Sequence, residues 1–205
     1  GHMEIVSGGS LNVTNWFDVG SYDGTTVGKI GKLTMNGSAQ LTTDDNVNLH
    51  VGNYIDGVLT LNDTAQIQSW NLKVGESLGP DRGTVSGHVV LNGSSLIETN
   101  YFYLGKNLAG SGTLEVNGGE LVVNRSYGTE AELNDWKNTQ DFYLAMDYID
   151  TSLSGEVAEI IHDYVYDEVE QEWTGTTTYR ATPEPATVAL FGTGLLVMLR
   201  KKRRS

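Results

Sequence analysis

The chain has 205 residues, no cysteine and a formal net charge of −13, with 26 acidic residues against 13 basic ones. No disulfide framework or thiolate metal site is available to it. Five of the basic residues stand together at Arg200, Lys201, Lys202, Arg203 and Arg204, so the rest is a still more acidic body, which repels phosphate backbones and argues against nucleic acid as a partner.

Taken in order, Gly1-His2-Met3 reads as a cloning scar standing where a native N-terminus would begin. A worn copy of a repeat follows at Glu4 to Val13, and then one phrase returns four times: Gly31-Lys-Leu-Thr-Met-Asn-Gly-Ser-Ala-Gln-Leu41, Gly57-Val-Leu-Thr-Leu-Asn-Asp-Thr-Ala-Gln-Ile67, Gly87-His-Val-Val-Leu-Asn-Gly-Ser-Ser-Leu-Ile97 and Gly112-Thr-Leu-Glu-Val-Asn-Gly-Gly-Glu-Leu-Val122. The leading glycines give periods of 26, 30 and 25 residues, the range of stacked repeat architectures. A second phrase ends in an apolar residue and glycine: Phe17 to Gly20, Leu49 to Gly52, Leu72 to Gly75 and Phe102 to Gly105.

Apolar residues alternate with others through both phrases, the period of a half-buried strand. Leu33, Leu59, Val89 and Leu114 then face inward, as do Leu41, Ile67, Ile97 and Val122. Three short strands per period predict an all-β fold, a short right-handed parallel β-solenoid of about four to five coils over residues 4–123. Asn36, Asn62, Asn92 and Asn117 hold one place in the phrase, followed by Gly, Asp, Gly and Gly, and Asn or Gly tolerates the positive φ that a sharp corner demands. Stacked at the strand spacing, they would form a structural ladder of side-chain amides.

Length varies in the loops Ser21–Ile30, Asn53–Asp56, Glu76–Ser86 and Lys106–Ser111. They carry acidic residues but no calcium-loop pattern, so no metal site is assigned. Residues 124–181 read as a last coil and capping region. Phe142-Tyr-Leu-Ala145 echoes Phe102-Tyr-Leu-Gly105, Thr129–Asn138 has Leu133 and Trp136 at helical spacing, and residues 155–179 fit a helix face or, favoured by Thr176, Thr177 and Thr178, a β-hairpin.

The tail, residues 182–205, is distinct. Pro183-Glu184-Pro185 is followed by 14 uncharged residues from Ala186 to Leu199 and then the basic end. The run is shorter than the ~20 residues of a usual span, but snorkelling cations let an apolar helix of this kind cross with its basic end on the cytoplasmic side. Motif, apolar stretch and basic cluster, in that order, resemble the PEP-CTERM sorting domain of exported bacterial proteins. The resemblance implies transient insertion in the inner membrane of a Gram-negative cell, recognition by an exosortase, cleavage near Pro183-Glu184-Pro185 and delivery to the surface or extracellular matrix, in the company of exopolysaccharide and biofilm systems. Residues 4–123 resemble the repeat regions of such proteins and of autotransporter passengers.

Chemistry in the body is sparse. His50 should face solvent between Leu49 and Val51, and neither His88 nor His162 has a spaced partner. The outward column Asp18, His50, Lys73 and Tyr103, with Tyr143 as a further candidate, mixes charges and types. No catalytic set, cofactor or metal is therefore assigned. Trp16, Tyr101 and Tyr103 are candidate glycan-contact aromatics, with shielding of neighbouring strands as the other reading. Two functions remain open: a non-enzymatic structural protein of the cell surface, with exopolysaccharide or further copies of itself as partners, or a carbohydrate-binding or carbohydrate-active protein.

Overall fold

The alternation of apolar and polar residues is realised strand by strand. In the computed structural model, residues 1–20, 30–76, 85–105 and 110–183 are described. In chain order the strands are β1 (His2–Ile5), β2 (Ser10–Val13), β3 (Phe17–Val19), β4 (Ile30–Met35), β5 (Gln40–Thr43), β6 (Asn48–Val51), β7 (Asp56–Leu61), β8 (Gln66–Val74), β9 (Val85–Asn92), β10 (Leu96–Leu104), β11 (Gly110–Asn117) and β12 (Glu120–Tyr127). A helix, α1 (Glu130–Ala145), a short strand, β13 (Ile149–Asp150), and two long strands, β14 (Glu156–Asp167) and β15 (Glu172–Pro183), complete the described residues.

The strands form two sheets. One is six-stranded and parallel throughout, in the order β1-β4-β7-β9-β11-β13. The other is nine-stranded and mixed: β14-β15-β12-β10-β8-β5-β2, with β3 and β6 joining it through the second half of β8. Its inner members pair parallel, whereas β15 runs antiparallel to both β12 and β14.

This corrects the expected right-handed parallel β-solenoid with an apolar C-terminal helix. The fold is all-β but mixed, because β14 and β15 are joined by a turn of a few residues, and strands so closely joined can pair only antiparallel. The expected apolar helix and basic cluster fall at 184–205, outside the described residues. Among the described residues no helix is long and apolar enough to cross a membrane.

Register carries the core. Leu33, Leu59, Val89 and Leu114 pair across successive strands, and so do Met35, Leu61, Leu91 and Val116. Facing them in the second sheet are Leu41, Ile67, Ile97 and Leu121, all buried. Each such side chain contributes about 1.5–3 kcal/mol by leaving water. The member from the last repeat is Leu121, not the expected Val122. The corner from Asn117 is one residue shorter than the one from Asn92, and a one-residue shift turns the other set of side chains inward.

The strands approach so closely at the corners that a side chain is excluded. A Cβ on Gly57 would overlap the Val19 carbonyl oxygen and the Gly52 backbone nitrogen.

Phe142–Ala145 begins no strand; it is the last turn of α1. The helix starts where the Thr129 hydroxyl accepts from Glu132 N at 3.2 Å, with Glu130 and Glu132 favourably placed at its positive end. Leu133, Trp136 and Gln140 form its buried stripe. Trp136 Nε1 donates to Thr177 Oγ1 at 3.1 Å, and the Tyr179 hydroxyl donates to Gln140 Oε1 at 2.7 Å. Helix and hairpin thus cover the β12 end of the nine-stranded sheet as one unit.

Candidate functional site

Register sets Asp18 of β3, His50 of β6, Lys73 of β8 and Tyr103 of β10 side by side on neighbouring strands. Alternation turns this column away from the core, yet His50 is 2 % exposed, contrary to the expectation that it faces solvent. The cover comes from chain just past the tight glycines. Asn53 follows Gly52, Glu76 follows Gly75, and Trp16 stands edge-on with its ring 6.2 Å from the imidazole.

His50 Nδ1 lies 2.7 Å from Asp18 Oδ1 and Nε2 lies 3.4 Å from Glu76 Oε2; Lys73 Nζ is 3.1 Å from the same Glu76 oxygen, and Asn53 Nδ2 donates to Asp18 Oδ1 at 3.2 Å. The hydrogen bond from His50, working against burial and aided by Lys73, holds the Glu76 carboxyl at about 2. Burial opposes ionisation of Asp18, but the bonds from His50 and Asn53 prevail and hold its carboxyl below the ordinary value. Burial likewise opposes protonation of His50, and its two carboxylate partners outweigh it, raising the imidazole above its ordinary value. Nδ1 is thus held by Asp18, and Nε2 stands within ion-pair distance of Glu76 Oε2.

The other histidines stand apart. His88 Nδ1 is 2.7 Å from Thr113 Oγ1, and its Nε2 is 3.4 Å from Glu115 Oε2. His162 Nδ1 is 3.0 Å from Thr177 Oγ1 beneath α1, where burial lowers the imidazole below its ordinary value against the pull of Asp141. Among the described residues no group of three or more histidine, cysteine or acidic side chains is arranged to hold a metal ion.

Asn36, Asn62, Asn92 and Asn117 stand in one column. Asn62 Nδ2 donates to Asn36 Oδ1 at 2.7 Å, Asn92 to Asn62 at 2.8 Å and Asn117 to Asn92 at 3.1 Å. Each end is closed: Asn36 donates to Glu4 Oε1 at 2.7 Å, and Asn117 Oδ1 accepts from Ser152 N at 2.9 Å.

The candidate aromatics are not gathered. Trp16, 61 % exposed, precedes β3, whereas Tyr101 and Tyr103 lie on β10, with β6 and β8 between. Tyr101 meets Trp70 at 6.0 Å between ring centroids, and the Arg125 guanidinium lies 4.5 Å over its ring.

Trp70 was not singled out from the sequence. It marks the point in β8 where pairing with β5 gives way to pairing with β6, and the β8–β10 register skips Trp70 and Asn100. The visible signal was a break in alternation, since Trp70 and Asn71 are both half-buried. Trp70 lines an open trough of about 580 Å³ with Thr42, Gln68, Ser69, Glu98 and Asn124, and a second hollow of about 380 Å³ continues from it past Tyr101 and Arg125.

Residues 181–204 match the family model described as the PEP-CTERM protein-sorting motif. Nothing matches the chain among curated proteins or solved structures, so the resemblance to autotransporter passengers is left without support. The motif marks an exported protein destined for the cell envelope or surface. Exosortase is its processing partner. Of the sorting residues, Pro183 ends β15 opposite Glu156, whereas Glu184, Pro185 and Arg200, Lys201, Lys202, Arg203 and Arg204 lie outside the described residues.

Proposed function

We propose that the protein is a non-enzymatic structural component of the cell surface or extracellular matrix, passing through an inner-membrane intermediate held by its C-terminal apolar segment and associating with exopolysaccharide once released. The observation that carries this reading is the continuity of body and signal: β15 runs into the sorting motif, so cleavage beyond Pro183 leaves the hairpin that covers β12 whole. The closed Asp18–His50–Glu76 cluster supports it too, as a buried network that holds strands together rather than presenting a free acid or base.

Replacing Pro183 and Glu184 by alanine in the source organism tests the sorting half. The variant should stay with the membrane fraction at unprocessed mass; arrival at the same location with the same mass as the parent would overturn it. Incubating the full chain with a panel of acidic and neutral polysaccharides tests the rest, since new reducing or unsaturated ends would make it an enzyme. Among carbohydrate-directed functions the Trp70 trough favours binding.

A further inference from the structure

Resting on the exopolysaccharide reading, we infer that the trough over β5, β8, β10 and β12 binds a neutral, extended, β-linked polysaccharide chain lying across the strands, with one sugar ring stacked on Trp70.

Direction and length come from register. Thr42, Gln68 and Glu98 pair in a row across β5, β8 and β10, and two residues further along, where the ladder is interrupted, Trp70 of β8, Asn100 of β10 and Asn124 of β12 line the same trough. The trough therefore crosses the strands, rising by one strand spacing of about 4.8 Å at each step and roughly 14 Å in all. One ring of an extended β-linked hexose chain advances by nearly the same distance, so consecutive sugars meet equivalent positions on consecutive strands. About three rings fit this length, and the volume of about 580 Å³ lies in the range of small-ligand sites.

The lining is that of a sugar site. Trp70 offers an apolar ring among carboxamides, hydroxyls and a carboxylate, and aromatic faces stack on the C–H faces of sugars while amide and hydroxyl groups bond their rims.

Charge selects among glycans. Asp44, Asp45 and Glu98 line the trough, and the body is strongly acidic, so uronate or sulfated chains are repelled. An extended peptide is a poor occupant as well, because the trough lies on an outward face of paired strands and offers no free strand edge to extend.

The test titrates the full chain with cellohexaose, laminarihexaose and a polygalacturonate oligomer by calorimetry. At least one neutral hexaose should bind and polygalacturonate should not. Trp70→Ala should weaken binding about tenfold, and Phe142→Ala, at an exposed ring of α1 outside the trough, should leave it unchanged. Should Trp70→Ala lose cooperative unfolding, the double variant Gln68→Ala/Asn124→Ala decides, because both side chains are exposed; about threefold weakening is expected. Neutral binding that survives in the folded variants overturns the site and leaves the polysaccharide reading standing. Tighter binding of polygalacturonate also overturns the site, and binding of none of the three overturns site and association together. Sorting through Pro183 and Glu184 is read separately by fractionation.

Discussion

His50 of β6 stands 2.7 Å from Asp18 of β3, 32 residues earlier in the chain, and the pair is closed over by Glu76 from a third segment. Three successive repeats are thus tied at one point by charges that none could bury alone. Desolvation makes such a cluster costly to leave half-made.

The cluster gives stability a pH dependence. His50 has its folded pKa raised above 6.5, so its contribution is full below that value and is lost as pH rises through the folded pKa. Glu76, lowered from 4.5 to about 2, and Asp18, lowered from 3.8, contribute fully above those ordinary values and lose it on acidification. The network is therefore worth most between about pH 4.5 and 6.5. His162, with its pKa lowered, acts in the opposite sense, which is why the measurement is the difference between parent and His50→Gln. That difference should be about 3 kcal/mol near pH 5.5 and shrink by pH 9. A difference constant with pH would mean that His50 has the same pKa folded and unfolded, and one that grows as pH rises would mean that it is neutral in the folded protein.

The asparagine column should behave as a unit. Asn62 donates to Asn36 and accepts from Asn92, so Asn62→Ala leaves two neighbours unsatisfied and should cost about 1–3 kcal/mol in urea unfolding. The double variant with Asn92→Ala should fall short of the sum of the singles by at least 0.5 kcal/mol, roughly the threshold for residues in one network. Strict additivity would show that the contacts carry little energy.

Inward positions such as Leu33, Leu59, Val89 and Leu114 were legible because a period of two needs nothing beyond the local sequence. What lay outside its reach came from elsewhere in the chain. Alternation placed His50 on the outer side correctly, but the cover supplied by Glu76 and Asn53 depends on how chain beyond the glycines folds back. Anchoring the fourth repeat on Asn117 hid a corner one residue short, and so chose Val122 over Leu121. Phe142–Ala145 spells a strand phrase, yet it follows a capped helical start at Thr129 and continues that helix. Trp70 carries no contiguous motif, because the trough it lines is assembled across four strands.

Two glycines separate close approach from backbone conformation. Gly87→Ala would drive its methyl into the Val51 carbonyl oxygen and the Gly75 backbone nitrogen, neither of which can yield without shifting a paired strand. Gly8 has φ +77° with nothing near its missing Cβ, so Gly8→Ala should cost only the left-handed penalty, about 1–2 kcal/mol. Gly87→Ala should exceed 3 kcal/mol, in the range of severe core disruptions. Thermal unfolding of the two variants side by side checks the ordering, and near-equal losses would contradict the tight corner.

The cover over β12 predicts a failure of association as well as of stability. Trp136 packs on Tyr127, lies under the Arg125 guanidinium and donates to Thr177, so Trp136→Ala should cost about 3–5 kcal/mol. Trp136→Phe keeps an aromatic ring but loses the donor and part of the indole's volume. Thr177 Oγ1 still has His162 and Tyr164 within hydrogen-bond distance, so the lost donor costs only about 1 kcal/mol, and with the lost volume the variant should fall between the parent and Trp136→Ala. If α1 holds the hairpin on β12, the alanine variant should also expose a parallel-sheet edge and aggregate below its unfolding temperature, more readily at higher concentration. Light scattering during a thermal ramp distinguishes the cases. An alanine variant that is destabilised yet stays monodisperse would show that the β12–β15 pairing seals the edge without help from the helix.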